Sequence, residues 1–201
     1  MGNKIGGMLT QADNAILVID MQKEWLAPDA PFRNDNAVAT IPAIKKFLDW
    51  GRANDWAIIY VYRVQRISGI DADMFRRHFF EDGQPYCLPG SVGAEMPDEI
   101  APQSGDIQIH KQRFDCFMGT DLEIVLRGLG VKNIYITGTQ YPNCIRTTAV
   151  ASMERNYPTT VLTDCCSALT KEVAEANIYD LKNMGIRCIP STDVIEKSKT
   201  V

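Results

Sequence analysis

Short apolar runs alternate with segments of helical periodicity along most of the chain, and this alternation constrains the fold more than any other feature. The first run, Ala-Ile-Leu-Val-Ile-Asp at residues 15–20, is typical of a parallel strand that is buried on both faces. Similar runs predict further strands at residues 56–61, 107–111, 133–137, 158–163 and 186–189. Helical spacing predicts intervening helices at residues 37–54, 145–156 and 171–184. Strands that are separated by helices require right-handed parallel crossovers. We therefore predict an α/β fold with three layers, in which a doubly wound six-stranded parallel sheet lies between helices.

One more helix is predicted from its end signals. Thr120 is a capping residue, Glu123 is its capping-box partner, and the glycines at positions 128 and 130 end the helix. A long segment, residues 63–105, is rich in glycine and proline, and we predict only one short helix in it, near residues 71–80. Long irregular excursions are often functional, so this segment is a candidate lid over a binding site.

No change in composition marks a domain boundary. With 201 residues the chain suits one domain, which we predict over residues 1–201. Residues 1–13 and 197–201 are predicted to be peripheral ends, and the last of these segments to be frayed.

Composition excludes several classes of protein. The formal net charge of −4 has the wrong sign for a general nucleic-acid binder. No apolar stretch reaches the roughly 18 residues of a membrane span, and no secretory signal is recognised, so we expect a cytoplasmic protein without membrane contact. Six cysteines could indicate disulfide bonds, but the hydrophobic fraction of 45% supplies a core without them, and reduced thiols are expected. Because CxxC pairs and Cys/His clusters are absent from the sequence, we predict no metal site and no cofactor.

Three reactive side chains fall where predicted strands end. Asp20 closes the first strand, Lys111 closes the third, and Cys144 follows the fourth at the start of a helix. In an open parallel sheet the ligand crevice lies outside these ends, so the three side chains can meet there. A helix N-terminus favours a thiolate, and its N–H groups can hold an oxyanion. Taken singly, each residue has a plainer interpretation: Asp20 as a turn residue, Lys111 as a surface charge and Cys144 as core packing.

Three sequence blocks extend this pattern. They read Ala-Ile-Leu-Val-Ile-Asp-Met-Gln at residues 15–22, Ile-His-Lys-Gln-Arg-Phe-Asp-Cys-Phe at 109–117, and Ile-Thr-Gly-Thr-Gln-Tyr-Pro-Asn-Cys-Ile-Arg-Thr-Thr-Ala at 136–149. In order and spacing they resemble the signature blocks of the isochorismatase-like cysteine hydrolases. That superfamily includes nicotinamidases and the N-carbamoylsarcosine and ureidoacrylate amidohydrolases. The resemblance covers residues 14–190, nearly the whole chain.

The resemblance implies a Rossmann-like sheet of six parallel strands and a catalytic triad of Asp20, Lys111 and Cys144. It also implies a cis peptide bond between Thr139 and Gln140, and an oxyanion hole formed by the backbone N–H groups of Gln140 and Cys144. In the implied mechanism, Lys111 and the helix dipole lower the pKa of the Cys144 thiol, and Asp20 takes its proton. The thiolate then attacks an amide or ureido carbonyl and forms a thioester.

Four further residues are candidate substrate contacts. Trp25 stands where the family places an aromatic side chain against the substrate. Arg66 and Arg113 could bind a substrate carboxylate through paired N–H groups. Tyr141 directly follows the oxyanion residue Gln140. Plain core packing for Trp25, and surface or structural roles for the two arginines, are the alternatives.

The resemblance also narrows the choice among members of the superfamily. Metal-binding nicotinamidases carry an Asp-x-His motif, which this sequence lacks; its only histidines are His78 and His110. Retention of the cysteine points to C–N hydrolysis rather than to the vinyl-ether hydrolysis of isochorismatase itself. The implied protein is therefore a homodimer or homotetramer that hydrolyses a small amide or ureido substrate without a metal.

Three alternatives to this function exist. The chain could be a metal-independent nicotinamidase-type or isochorismatase-type hydrolase. It could instead be a catalytically silent binding module, or a redox-sensing module, on the same fold. A nucleotide-binding domain would need a glycine-rich loop after the first strand, and residues 20–25 contain no glycine.

Overall fold

Six parallel strands form one continuous sheet at the centre of the molecule. The computed structural model describes residues 4–198. A short antiparallel hairpin of Lys4–Ile5 (β1) and Met8–Leu9 (β2), which the sequence does not predict, precedes the sheet. The strands of the sheet are Asn14–Ile19 (β3), Ala57–Arg63 (β4), Ile107–Lys111 (β5), Asn133–Thr139 (β6), Thr159–Ser167 (β7) and Arg187–Ile189 (β8). Their spatial order is β5-β4-β3-β6-β7-β8, so the sheet begins at its centre and winds outward in both directions.

Helices cover both faces of this sheet. They are Lys23–Leu26 (α1), Asp35–Val38 (α2), Ile41–Ala53 (α3), Arg77–Glu81 (α4), Leu122–Leu129 (α5), Arg146–Glu154 (α6), Lys171–Asn183 (α7) and Ser191–Ser198 (α8). A π-helical turn, Tyr141–Ile145, leads directly into α6. Within the described residues, no helix is both long enough and apolar enough to cross a membrane.

Alternate residues of the central strand β3 face opposite helical layers. Leu17 and Ile19 belong to a buried cluster that includes residues of α5, α6 and α7. Ile16 and Val18 belong to a second cluster that includes residues of α3 and α8. Because successive side chains of a strand point to opposite faces, a strand that is apolar throughout contributes to both cores. The predicted fold class, a three-layer α/β fold with a doubly wound six-stranded parallel sheet, is confirmed.

Two predicted helices differ in detail. The helix predicted at residues 37–54 is divided into α2 and α3, because Pro42 lies in the first turn of α3, where proline can begin a helix but cannot continue one. The helix predicted from Thr120 begins at Leu122, and Thr120 contributes only a hydroxyl that accepts a hydrogen bond from the Leu122 N–H. Glu123 does not complete a capping box, since its carboxylate pairs with Arg155.

The ends of the chain and the long excursion also depart from expectation. Helix α8 was not predicted, and it includes Lys197, where a frayed end was expected. Residues 1–3 and 199–201, parts of the predicted peripheral ends, lie outside the described residues. In the excursion, a 3₁₀ turn at Met74–Arg76 precedes α4, close to the predicted helix at 71–80. Two more 3₁₀ turns follow before β5.

Candidate active site

The ends of three strands bring Asp20, Lys111 and Cys144 together. Asp20 follows β3, Lys111 is the last residue of β5, and Cys144 lies in the π-helical turn after β6. Lys111 Nζ lies 2.8 Å from Asp20 Oδ2 and 3.3 Å from Cys144 Sγ. All three side chains are buried, so the plainer interpretation of Lys111 as a surface charge is wrong.

Lys111 spans two strands to reach Asp20. Its own strand, β5, is separated from β3 by β4, and the long side chain crosses the end of β4. The ammonium also donates a hydrogen bond of 3.0 Å to the backbone carbonyl of Arg113. With Asp20, Cys144 and this carbonyl as partners, the three N–H groups of the ammonium each have an acceptor, which orients the charge towards the thiol.

The backbone of Asp20 is left-handed, with φ 54°. Its N–H continues the sheet by donating to the carbonyl of Val61 at 3.0 Å. Aspartate tolerates this conformation better than most residues. The turn directs one carboxylate oxygen to Lys111, while Oδ1 is buried and has no hydrogen-bond partner among residues 4–198. Oδ1 is therefore available to receive a proton.

Gly138 allows β3 and β6 to approach each other closely beside Asp20. Its φ is +119°, and a Cβ at this position would overlap the backbone carbonyl oxygen of Ile19. Only glycine combines this backbone conformation with the absence of a side chain. The residue thus sets the spacing between the strand that leads to Asp20 and the strand that leads to Cys144.

The electrostatics of the unliganded site correct one expectation. Burial raises the pKa of the Cys144 thiol, and the Asp20 carboxylate raises it further, although the charges of Lys111 and Arg63 oppose the rise. Lys111 thus lowers this pKa, as predicted, but the expected net lowering is not found, because burial outweighs the nearby cations. Burial lowers the pKa of Lys111, but Asp20 and Cys144 outweigh that effect and the pKa is raised, so the ammonium keeps its charge.

Arg63 is a site residue that was not predicted from the sequence. It ends β4, between the strand of Asp20 and the strand of Lys111, and only 1% of its side chain is exposed. Its Nη2 lies 3.7 Å from Cys144 Sγ, and its Nη1 donates to Asp73 Oδ2 at 2.9 Å. The argument that reactive side chains gather where parallel strands end, if applied also to the second strand, would have indicated Arg63.

Gln22 holds Arg63 in place through the backbone. Its side-chain amide donates to the Arg63 carbonyl at 2.9 Å and accepts from the Arg63 N–H at 2.8 Å. This two-point contact joins the segment after β3 to the end of β4. Gln22 is completely buried and lies within the first signature-like block, which is the signal that could have identified it.

A small cavity, here named the inner pocket, opens onto the thiol. Its volume is about 40 Å³, and the residues that line it include Asp20, Trp25, Arg63, Arg76, Gln140 and Cys144. Trp25 therefore lies at the cavity, as predicted for a substrate contact, and it also packs against the rings of Phe32 and Tyr86.

The segment that leads to Cys144 carries the predicted oxyanion residues. The peptide bond between Thr139 and Gln140 is cis, and Gln140 lines the inner pocket. Tyr141 does not line it: its side chain is 1% exposed and belongs to the core cluster below the sheet end. Burial raises the pKa of the Tyr141 phenol, and the neighbouring cysteines raise it further. The structure therefore does not support Tyr141 as a substrate contact.

The two arginines that were predicted to bind a substrate carboxylate, Arg66 and Arg113, do not line the inner pocket. The side chain of Arg66 is 71% exposed and pairs with Asp71 at 2.8 Å. Arg113 donates to the backbone carbonyl of Asp71, and its side chain does not line the inner pocket. Both arginines stabilise the excursion rather than the cavity. The arginines that line the cavity are instead Arg63 and Arg76.

Other candidate ligand groups are dispersed. Within residues 4–198, no group of three His, Cys, Asp or Glu side chains is arranged to hold a metal ion. His110 faces away from Lys111 and meets the ring of Tyr62, while His78 stacks on Phe79. All six cysteines are free thiols and buried.

Comparison with known proteins adds independent findings. Residues 14–193 match the family model described as the isochorismatase domain. A protein named probable inactive nicotinamidase, from Arabidopsis thaliana, is 34% identical over 178 residues, which are 87% of this chain and 91% of that protein. N-carbamoylsarcosine amidase from an Arthrobacter species is 27% identical over 84% of this chain and 65% of its own length. An isochorismatase family protein from Desulfovibrio vulgaris has a solved structure with a TM-score of 0.89 and 41% identity, covering 94% of this chain and 100% of the other.

Proposed function

Because this chain belongs to the isochorismatase family, we propose that it is a cysteine hydrolase that cleaves the C–N bond of a small amide or ureido substrate through a thioester. One observation carries the proposal: Lys111 Nζ lies 2.8 Å from Asp20 Oδ2 and 3.3 Å from Cys144 Sγ beside a cavity. A thiol nucleophile, a carboxylate base and a buried cation within mutual reach suit acyl transfer.

The first half of the reaction transfers the acyl group to sulfur. The Cys144 thiol gives its proton to Asp20, whose Oδ1 has no other partner among the described residues. Sγ attacks the substrate carbonyl carbon, and the C=O electron pair moves onto oxygen. The N–H groups of Gln140 and Cys144 are proposed to hold that oxyanion. When the intermediate collapses, the C–N bond breaks and the leaving nitrogen takes the proton from Asp20.

The second half releases the acid. Asp20, again a carboxylate, takes a proton from water, and the hydroxide oxygen attacks the thioester carbon. The C–S bond breaks, and the proton returns from Asp20 to the departing sulfur, which restores the thiol. Each step uses the same carboxylate alternately as base and acid, so no further proton carrier is needed.

Arg63 and Lys111 supply two positive charges next to the sulfur. Both charges favour the thiolate over the thiol, against the burial that raises the pKa of Cys144. We propose that the thiolate forms only when a substrate occupies the inner pocket. In the unliganded protein the neutral thiol is protected from oxidation, because the thiolate is the reactive form.

Two alternative functions are less well supported. The word inactive in the name of the Arabidopsis relative applies to that protein; in this chain the three side chains of the proposed triad are present and in contact. A redox-sensing role would require an accessible cysteine of low pKa. Cys144 is 4% exposed and has a raised pKa, which argues against that role.

The proposed assembly follows from the family resemblance, and the proposed location from the sequence expectation given above. We propose a homodimer or homotetramer, located in the cytoplasm, that acts on a small molecule without a cofactor.

The test is a screen for ammonia release from linear amides and ureides, with N-carbamoylsarcosine among them. Wild type should turn over at least one compound, and Cys144→Ala should turn over none. Cys188→Ala is the matched control: Cys188 is also buried but lies in β8 at the far edge of the sheet, so turnover should be unchanged. Acid-quenched wild type should carry an acyl adduct on the peptide that contains Cys144.

Two results would overturn the proposal. Turnover that survives Cys144→Ala would exclude the thiol as nucleophile. No turnover of any compound, together with Cys144 alkylation that is unchanged by Asp20→Asn, would show that the carboxylate does not serve the thiol. The second result would favour a binding module on the same fold.

A further inference from the structure

A larger cavity, here named the aromatic vestibule, adjoins the inner pocket. The vestibule has a volume of about 430 Å³, against about 40 Å³ for the inner pocket. Trp25, Phe32, Arg76 and Gln140 line both cavities, so the two lie side by side with these residues as their common wall. Because about 150 Å³ is enough to hold benzene, the vestibule has room for a substituent that the inner pocket cannot accept.

The walls of the vestibule are largely aromatic. Beyond the shared Trp25 and Phe32, its lining includes Phe75, Phe79 and Tyr86. The ring of Phe32 lies 4.9 Å from Phe79 and 5.6 Å from Tyr86, and Trp25 lies 5.7 Å from Tyr86. These rings brace one another and leave an apolar surface facing the cavity. Such a surface suits an apolar or aromatic group and gives little to a small polar one.

Arg76 is the charged residue at the junction of the two cavities. Its guanidinium approaches Asp73 Oδ2 only to 4.0 Å, too far for a hydrogen bond, and it lies over the ring of Phe75 at 5.1 Å. Arg33, which also lines the vestibule, is by contrast engaged by Asp35 at 2.7 Å. Arg76 also lies over the ring of Phe114 at 5.5 Å, and hydrogen bonding to Arg76 opposes the rise that burial causes in the pKa of the Tyr86 phenol. A carboxylate that passes the junction would replace these weaker contacts by a two-point contact with the N–H groups of Arg76.

Charge in the vestibule favours an anion. Its described lining residues include two arginines and no aspartate or glutamate. Among the described residues that line the inner pocket, the only carboxylate is that of Asp20, which Lys111 neutralises. A substrate carboxylate at the junction would thus meet attraction from Arg76. The nearest acid to Arg76 is Asp73, whose Oδ2 lies 4.0 Å away and is paired with Arg63 at 2.9 Å, so its charge is largely compensated.

We propose that the substrate is a ureido or amide acid with a large apolar, preferably aromatic, substituent. Its reactive carbonyl lies in the inner pocket, its carboxylate on Arg76, and its apolar group in the aromatic vestibule. The identity of the reactive group rests on the hydrolase function proposed above, whereas the other two contacts do not.

The test measures binding to the Cys144→Ser variant by calorimetry, so that turnover does not interfere. Three probes are compared: N-carbamoylphenylalanine, N-carbamoylglycine, which lacks the ring, and phenethylurea, which lacks the carboxylate. N-carbamoylphenylalanine should bind at least about tenfold more tightly than either of the others, since burial of one ring and formation of one Arg–carboxylate contact are each worth that much.

Further substitutions in the Cys144→Ser background assign the two contacts. Arg76→Gln should weaken both carboxylate probes by about tenfold and leave phenethylurea unchanged. Arg77→Gln is the matched control, because Arg77 is the next residue, is exposed and does not line either cavity. Phe79→Ala should weaken the two phenyl probes and leave N-carbamoylglycine unchanged.

Equal affinity for N-carbamoylphenylalanine and N-carbamoylglycine, or no binding of any probe, would overturn this inference. So would an Arg76→Gln variant that weakens all three probes equally. Wild-type turnover separates this failure from failure of the proposed function. Hydrolysis of N-carbamoylglycine with no preference for the phenyl compound would leave the hydrolase standing and refute the substrate class. Tighter binding of N-carbamoylphenylalanine without turnover of any compound would support the two substrate contacts and refute the hydrolase function.

Discussion

Replacement of Lys111 by methionine should destabilise the fold strongly, because it leaves the Asp20 carboxylate buried without an opposite charge. The two charges lie 2.8 Å apart, and the side chains are 0% and 4% exposed. At an effective dielectric constant near 20, such a pair attracts by about 6 kcal/mol. Part of this attraction offsets the cost of burying the charges. Removal of one partner from a buried pair therefore costs about 3–5 kcal/mol.

Urea denaturation measures this loss directly. For a chain of this size the urea dependence is roughly 2–3 kcal/mol per molar, so Lys111→Met should lower the unfolding midpoint by about 1–2.5 M. The matched control is Lys132→Met. Lys132 pairs with Asp13 at a similar distance of 2.9 Å, but both side chains are more than 65% exposed. Its loss should cost less than about 1 kcal/mol.

A double-mutant cycle separates the pair from its surroundings. Asp20→Asn keeps the left-handed backbone at φ 54°, because asparagine tolerates this conformation as well as aspartate does. The double variant with Lys111→Met should cost less than the sum of the two single variants by about 2–3 kcal/mol. Strictly additive losses would refute the coupling. A Lys111→Met loss no larger than that of Lys132→Met would refute the argument from burial.

Three further predictions follow from the site. Cys144→Ser should lower turnover by about a thousandfold or more, while the free energy of unfolding changes by less than about 1 kcal/mol. Near-normal turnover of this variant would exclude Cys144 as the nucleophile. Because burial and Asp20 raise the pKa of the Cys144 thiol, its thiolate forms only at higher pH, so its alkylation rate in the unliganded protein should still be rising above the free-thiol value of about 8.5. Arg63→Gln should move this alkylation profile to still higher pH. The rates are measured by peptide mass spectrometry, and a midpoint at or below the free-thiol value would contradict the raised pKa of Cys144. Gly138→Ala should cost about 2–5 kcal/mol in urea denaturation, because its Cβ overlaps the Ile19 carbonyl at a φ of +119°. Gly128→Ala, whose Cβ meets nothing within 4 Å in α5, should instead stabilise by up to about 1 kcal/mol; equal effects of the two substitutions would refute the steric argument.

Local patterns in the sequence were enough to predict the layers and the order of the strands, whereas β4, β6 and β7 extend two to four residues beyond their predicted ends. The apolar run of β3 sends Leu17 to one core and Ile16 to the other, and this follows from strand geometry alone. Asp20 and Lys111 were predicted to meet because carboxyl ends of parallel strands share one edge of a sheet. Helix ends were predicted less well, as at Thr120, because a single hydrogen bond decides where a helix begins.

The sequence by itself therefore determined the α/β architecture and the edge at which reactive side chains gather, since both depend on periodicity within single elements. Only the tertiary structure decided which arginines reach the cavity: Arg63 is buried by Asp73 and by elements distant in sequence, whereas Arg66 turns to solvent. In the sequence, Arg63 differs from Arg66 only in lying nearer the end of the second predicted strand, and that position does not show which side chain becomes buried. The same holds for the pKa of Cys144, where burial by the assembled fold outweighs the neighbouring positive charges. Burial depends on every element that packs around a group, so no local pattern can specify it.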